Sequence, residues 1–154
     1  MSDRTTIKTT IQQFVTLLKN NLTAEPPTST NPLRRVAVGE AGNQEYPRPY
    51  LAVRLIRFGP VATVDDDRMF QVISELRLVT DVTAADPHDA ILEKIGAVEN
   101  YLDTILDTGV IEGAEGFDDR EWKIEYPKAS SGARVAVAVA TQTFVVNVDR
   151  QLNQ

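Results

Sequence analysis

The chain has 154 residues, of which 42% are hydrophobic and 25% charged, so it can build one domain around a single core and is not a disordered segment. It contains no cysteine, which excludes a disulfide scaffold, a thiolate zinc site, an iron–sulfur centre and a thiol nucleophile. Its net charge of -6 argues against a broadly basic nucleic-acid-binding surface.

The first predicted element is an amphipathic helix. Ile7, Ile11, Phe14, Val15, Leu18 and Leu22 recur at helical spacing on one face, with Gln12, Gln13, Lys19 and Asn20 on the other. It must stop before Pro26-Pro27, because proline lacks the amide donor and clashes with the preceding turn. Residues 24–49 are rich in proline and small polar residues and read as an extended arm or loop, with a short strand available at Leu33 to Val38.

Two strands follow. Leu51, Val53 and Leu55 alternate along Tyr50 to Phe58, and Phe70, Val72, Leu76 and Leu78 share one face of Met69 to Thr80. Gly59-Pro60 and Asp65-Asp66-Asp67 supply turn residues between them, so the pair is expected to form a β-hairpin. A second helix begins with Asp86 as N-cap and Pro87 in the first helical position, buries Ile91, Ile95, Val98, Leu102 and Ile105, and ends near Gly109. Glu93, Glu99, Asp103 and Asp107 fall on its outer side, facing solvent or a partner.

An acidic, glycine-containing loop spans Glu112 to Asp119. Two more strands are predicted at Glu121 to Tyr126 and Arg134 to Val148, joined by a turn at Pro127 to Gly132. The last contains the longest apolar run of the chain, Val135 to Ala140, apolar on both faces as in a strand covered twice. That run is far shorter than the ~20 residues that span a bilayer. The N-terminal Met-Ser-Asp-Arg-Thr-Thr has no apolar leader pattern, and a soluble protein made in the cytoplasm is expected. The whole chain, 1–154, reads as a single α+β domain. Its sheet is mainly antiparallel, with about four to five strands flanked by two main helices in the order α-β-β-α-β-β.

Catalytic signatures are missing from the sequence. The one histidine, His88, sits beside Pro87 in the first helical turn, where a surface position is the ordinary case. No serine occupies a Gly-x-Ser-x-Gly turn, and there is no Gly-x-x-x-x-Gly-Lys phosphate loop. Asp65, Asp66 and Asp67, and likewise Asp118, Asp119 and Glu121, are carboxylates that could hold a divalent ion or act as acid and base, but neighbouring carboxylates in one loop ordinarily point apart and stay solvated. Trp122, the single tryptophan, leads a strand and reads as a core or interface residue. No enzyme activity, metal or cofactor is expected.

Charge is instead segregated along the chain. Residues 1–60 carry 8 basic and 4 acidic side chains, residues 61–121 carry 4 and 16, and residues 122–154 carry 4 and 2. Arg34, Arg35, Arg48, Arg54 and Arg57 form the only basic cluster. Surfaces of opposite sign on one molecule suit contacts between copies, where they set partner choice and register.

The order of parts resembles the tail terminator (tail completion) proteins of long-tailed bacteriophages, the minor-tail-protein-U-like family. The features that carry it are the helix ending at Asn20-Asn21-Leu22, the Pro-rich stretch reaching Tyr46-Pro-Arg-Pro-Tyr50, and the strand pair after it. Thr80-Asp81-Val82 then leads into the helix that starts at Asp86-Pro-His-Asp, and the long last strand Val135 to Val148 completes the pattern. The similarity runs over nearly the whole chain and consists of order and length rather than of invariant side chains. It implies a hexameric ring in the virion neck that caps the tail tube, ends its polymerisation and joins tail to head. The implied partners are further copies of the chain, the tail tube protein and a head-completion or connector protein, with DNA passing through without sequence-specific binding. The alternative is another connector component of the same region, a head-completion or stopper protein. Arg34, Arg35 and Arg48 of the Pro-rich segment and Asp65, Asp66, Asp67 and Arg68 of the hairpin are the candidate interface residues. Asp118 and Asp119 are candidate channel-facing acids that would repel phosphate. Replacing both by asparagine is then expected to slow DNA exit from assembled particles, measured as ejection kinetics; unchanged kinetics would remove these two residues from the channel.

Overall fold

The computed structural model describes residues 3–39, 46–61, 69–82, 87–107, 114–117, 120–128 and 134–147. Helix α1 (Asp3–Leu22) buries the predicted stripe from Ile7 to Leu22. Its end is tied by side chains rather than by glycine. Asn21 Nδ2 donates to the Leu17 carbonyl at 2.8 Å and Thr23 Oγ1 to the Lys19 carbonyl at 2.6 Å, satisfying acceptors that a helix end leaves open. The first part of the Pro-rich segment doubles back onto this end. The Leu33 amide donates to the Leu22 carbonyl at 3.0 Å and the Ala24 amide to the Leu33 carbonyl at 3.1 Å.

Six strands form one sheet: β1 (Arg35–Val38), β2 (Tyr50–Pro60), β3 (Met69–Asp81), β4 (Ala114–Phe117), β5 (Lys123–Glu125) and β6 (Val135–Asn147). Helix α2 (Pro87–Asp107) lies between β3 and β4 in the chain. The spatial order is β1-β2-β3-β6-β4, with β5 also pairing β6. All pairings are antiparallel except β1 with β2. The α+β class, the two helices and the β2–β3 hairpin agree with the sequence expectation.

The element order does not. It is α-β-β-β-α-β-β-β, because two four-residue strands join the set. The first, β1, falls within the segment where a short strand was available. The second, β4, is Ala-Glu-Gly-Phe, which has little strand propensity of its own. It pairs with residues 143–146 of β6, so the open edge of that long strand supplies the order.

Both helices pack on one sheet face. Ile7, Phe14, Leu18, Ile91, Val98 and Leu102 meet Leu51, Val53, Val72, Leu76, Leu78 and Phe144 there in one buried cluster. Ala136 and Ala138, fully buried, keep β6 thin on that side. The Phe14 and Phe144 rings meet edge to face, 5.0 Å apart. On the opposite face a smaller cluster of Tyr50, Ala52, Val79, Val135 and Val137 is capped by Tyr46, whose ring lies 5.3 Å from that of Tyr50. This second cover accounts for the doubly apolar last strand. The N-cap Asp86 and the terminator Gly109 expected for α2 lie outside the described residues.

Phe14 is fully buried and links α1 to β6. Phe14→Ala is expected to lower the unfolding free energy by about 3–5 kcal/mol in urea titration. A loss below about 1 kcal/mol would mean that the α1 contact with the sheet is not the main core joint.

Candidate functional site

Strand β2 changes character halfway along its length. Tyr50 to Val53 are buried, while Arg54 to Phe58 are exposed. Three local features produce the change. Strand β1 ends at Val38, and Gly39 turns away with φ +70, a left-handed conformation that glycine adopts at no steric cost. The Gly39 amide donates to the Val53 carbonyl at 2.6 Å and closes the β1 ladder there. Beyond it, the outer edge of residues 54–60 meets no strand among the described residues.

The third feature is a bulge. Leu55 pairs with Ser74 and Arg57 with Ile73, so Ile56 is an extra residue without a partner across the ladder. The bulge re-aims the strand. Leu55 and Phe58, opposite Ser74 and Val72, share the helix-facing side of the sheet, and Arg57 takes the other side.

The helices do not cover this end of the hairpin. Leu55 is 41% exposed, Ile56 45%, Phe58 52% and Val61 45%. Val38, diagonal to Leu55 across the β1–β2 pair and 61% exposed, extends the patch. Five of the seven exposed large apolar side chains among the described residues thus belong to this end of the hairpin, Val38, Leu55 and Phe58 on its helix-facing side and Val61, beside Met69, on the other. The Phe58 ring leans against that of Phe70, 6.4 Å away, which holds it in position. Scattered exposed apolar residues are ordinary, but a contiguous patch marks a contact surface. Strand β2 carries two arginines and no acid; Arg54 pairs with Glu75 at 2.9 Å, and Arg57 is exposed.

The arginines expected at an interface are engaged within the chain. Arg34 forms an ion pair with Glu25. The Arg35 guanidinium lies 4.6 Å from the centre of the Tyr46 ring, a cation–π contact. Arg48 Nε donates to Asp81 Oδ1 at 2.7 Å. Arg35 and Arg48 thus gather around Tyr46 and Tyr50 on the sheet face away from the helices, apart from the apolar patch. Asp65, Asp66, Asp67 and Arg68 lie outside the described residues, as do Asp118 and Asp119. Among the described residues, no three His, Asp or Glu side chains group to hold a metal ion, and no helix is long and apolar enough to cross a membrane. No known protein family and no characterised protein matches this sequence.

A second cluster joins α2 to the sheet through charge. The Arg120 side chain is 1% exposed. Its Nε and Nη2 donate to Glu99 at 2.8 and 2.6 Å, Nη2 also to Asp103 at 3.2 Å, and Nη1 to Gln142 Oε1 at 2.6 Å. Trp122 Nε1 donates to Glu99 Oε1 at 2.6 Å. The bonds from Arg120 hold the Glu99 carboxyl below the ordinary glutamate range, against the opposing effect of burial, and the Trp122 bond adds to the lowering. Asp103 stays exposed, as expected, while Glu99, expected to face outward, is drawn partly inward to anchor the buried cation. A cleft of about 340 Å³ between α1, residues 29–31 and α2 is lined by uncharged groups including Asn21, Asn31, Asn100 and Tyr101. Burial raises the Tyr101 phenol above its usual range, while the hydrogen bond from Asn21 Nδ2 to its oxygen opposes that shift.

Neither feature was read from the sequence. The patch left a signal in Arg54-Leu55-Ile56-Arg57, where adjacent apolar residues interrupt strand alternation. Arg120 left one as the only base between Glu112 and Glu121. Removing it by Arg120→Ala is expected to cost about 3–5 kcal/mol in chemical denaturation, because Glu99 loses its counter-charge. Glu99 has a lower pKa folded than unfolded, so its stabilisation is full above the ordinary glutamate range and is lost as pH falls through the folded value. The stability gap between the native chain and Glu99→Gln should therefore narrow in acid. A gap independent of pH would show that the carboxylate charge does not hold the cluster.

Proposed function

We propose that this chain is a structural subunit of the phage neck, a tail terminator that caps the tail tube, ends its polymerisation and joins the tail to the head. Support comes from the order of parts that resembles the terminator family and from the apolar end of the β2–β3 hairpin. That patch is the observation that carries the reading. A subunit that works by fitting against other molecules needs apolar surface left over after its own core is complete. Val38, Leu55, Ile56, Phe58 and Val61 are such a surplus.

In this reading the partners are other copies of the chain, the end of the tail tube and a head-completion protein. The segregation of charge between residues 1–60 and 61–121 favours contacts between unlike faces, the geometry of a closed ring. The site of action is the virion, after synthesis in the host cytoplasm. DNA crosses the ring without sequence-specific contacts.

Electron microscopy of particles made without this chain tests the proposal. Tails of uncontrolled length, separate from filled heads, are the expected result. Tails of normal length would overturn it and assign the chain to head completion or a connector stopper.

A further inference from the structure

We infer that Lys128 and Arg134, with Tyr126 beside them, form a site for the phosphate backbone of duplex DNA. The two bases face each other as an antiparallel bridge just past the β5–β6 ladder. Side chains so placed stand about 5 Å apart at their Cβ atoms, and like charges there repel and destabilise the pair. Both side chains are exposed, and among the described residues neither has an ion pair.

Register sets what lies around them. Glu125 pairs with Val137, part of the cluster capped by Tyr46, and so takes the sheet face away from the helices. The Pro127 carbonyl accepts from the Val135 amide at 3.2 Å, which carries the same register on to Lys128 and Arg134. By alternation Tyr126, Lys128 and Arg134 share the helix-facing side. There the ring of His88, in the first turn of α2, meets the Tyr126 ring edge to face at 5.7 Å, and Tyr126 stays 38% exposed. Asp89, exposed one residue further along α2, pairs with neither base.

The donors suit a phosphate better than a carboxylate. Elsewhere this chain holds a carboxylate with two nitrogens of one guanidinium, Arg120 on Glu99 and Arg54 on Glu75. Lys128 and Arg134 instead bring two separate cations to one point, which matches an anion with more oxygens to offer. Tyr126 stands two residues along the strand, roughly 7 Å away. That step is close to the one between successive phosphates of a nucleic-acid strand, so the row fits a polymer rather than a lone anion. Contacts to phosphate orient a duplex and carry no sequence information, in keeping with DNA that crosses the assembly unread. That the phosphates are those of DNA rests on the reading of the chain as a neck subunit.

Fluorescence anisotropy of a short labelled DNA duplex titrated with the full chain at several salt concentrations, with thermal unfolding alongside, tests the site. Wild type should bind, and its affinity should fall as salt rises. Lys128→Gln and Arg134→Gln should each weaken binding several-fold at low salt and each flatten the slope of log affinity against log salt by about 1. Lys123→Gln, the same loss of charge on the other sheet face opposite Val139, should do neither. Lys128→Glu separates binding from structure: it should weaken binding while the melting temperature holds or rises, since an unlike pair replaces a like one. A wild type that does not bind, binding that Lys128→Glu leaves intact, or an equal loss in Lys123→Gln would overturn the site. Displacement of the duplex by polyglutamate at equal charge would overturn DNA as the occupant in favour of an acidic protein, and displacement by inorganic phosphate would do so in favour of a lone anion. Normal tail lengths in particles lacking the chain would instead overturn the terminator reading and leave the DNA-binding result standing.

Discussion

The thirteen-residue antiparallel pairing of β3 with β6 is the constraint on which the rest depends. It runs from Met69 opposite Asn147 to Asp81 opposite Val135 without a break in register. Every other element except β1, which pairs with β2, attaches to this pair. Strand β2 extends it on one side, β4 and β5 share the other edge, and both helices lie across one face. Because side chains alternate along a strand, the register fixes which residues meet the helices and which meet Tyr46 on the far side. A slip of one residue would exchange the two faces and leave Phe144 and Val72 outside the core.

The Arg120 cluster shows how a polar residue can hold a position that apolar packing leaves loose. Residues 120–122, just before β5, have no regular structure to fix them. A guanidinium with bonds to Glu99, Asp103 and Gln142 fastens that segment to α2 and β6 together. Burying a charge is costly unless it is paired and hydrogen-bonded, and here both conditions are met.

Much of the fold was legible because helix and strand periodicity report directly on burial. All five stripe residues of α2 are buried, and the β2–β3 pair falls where alternation placed it, although Gly59 and Pro60, expected in the turn, still belong to the ladder opposite Gln71 and Phe70. The failures have a common cause. Strand β4 exists because β6 offers it an edge, and Glu99 turns inward because Arg120 arrives from a distant part of the chain. The sequence likewise does not show that Arg34, Arg35 and Arg48 lie beside Glu25, Tyr46 and Asp81. The patch at the end of β2 was hidden for a different reason. A strand pattern shows which residues are apolar, not where the helices stop covering them.

The bulge at Ile56 and the proline at position 60 have a consequence for the open edge of the sheet. A long, flat, apolar strand edge is a template on which further strands add without limit, the route to fibrous aggregates. In β2 the kink breaks the regular spacing of backbone donors, and Pro60 removes one donor altogether. The same stretch can therefore display sticky side chains while refusing indefinite backbone stacking.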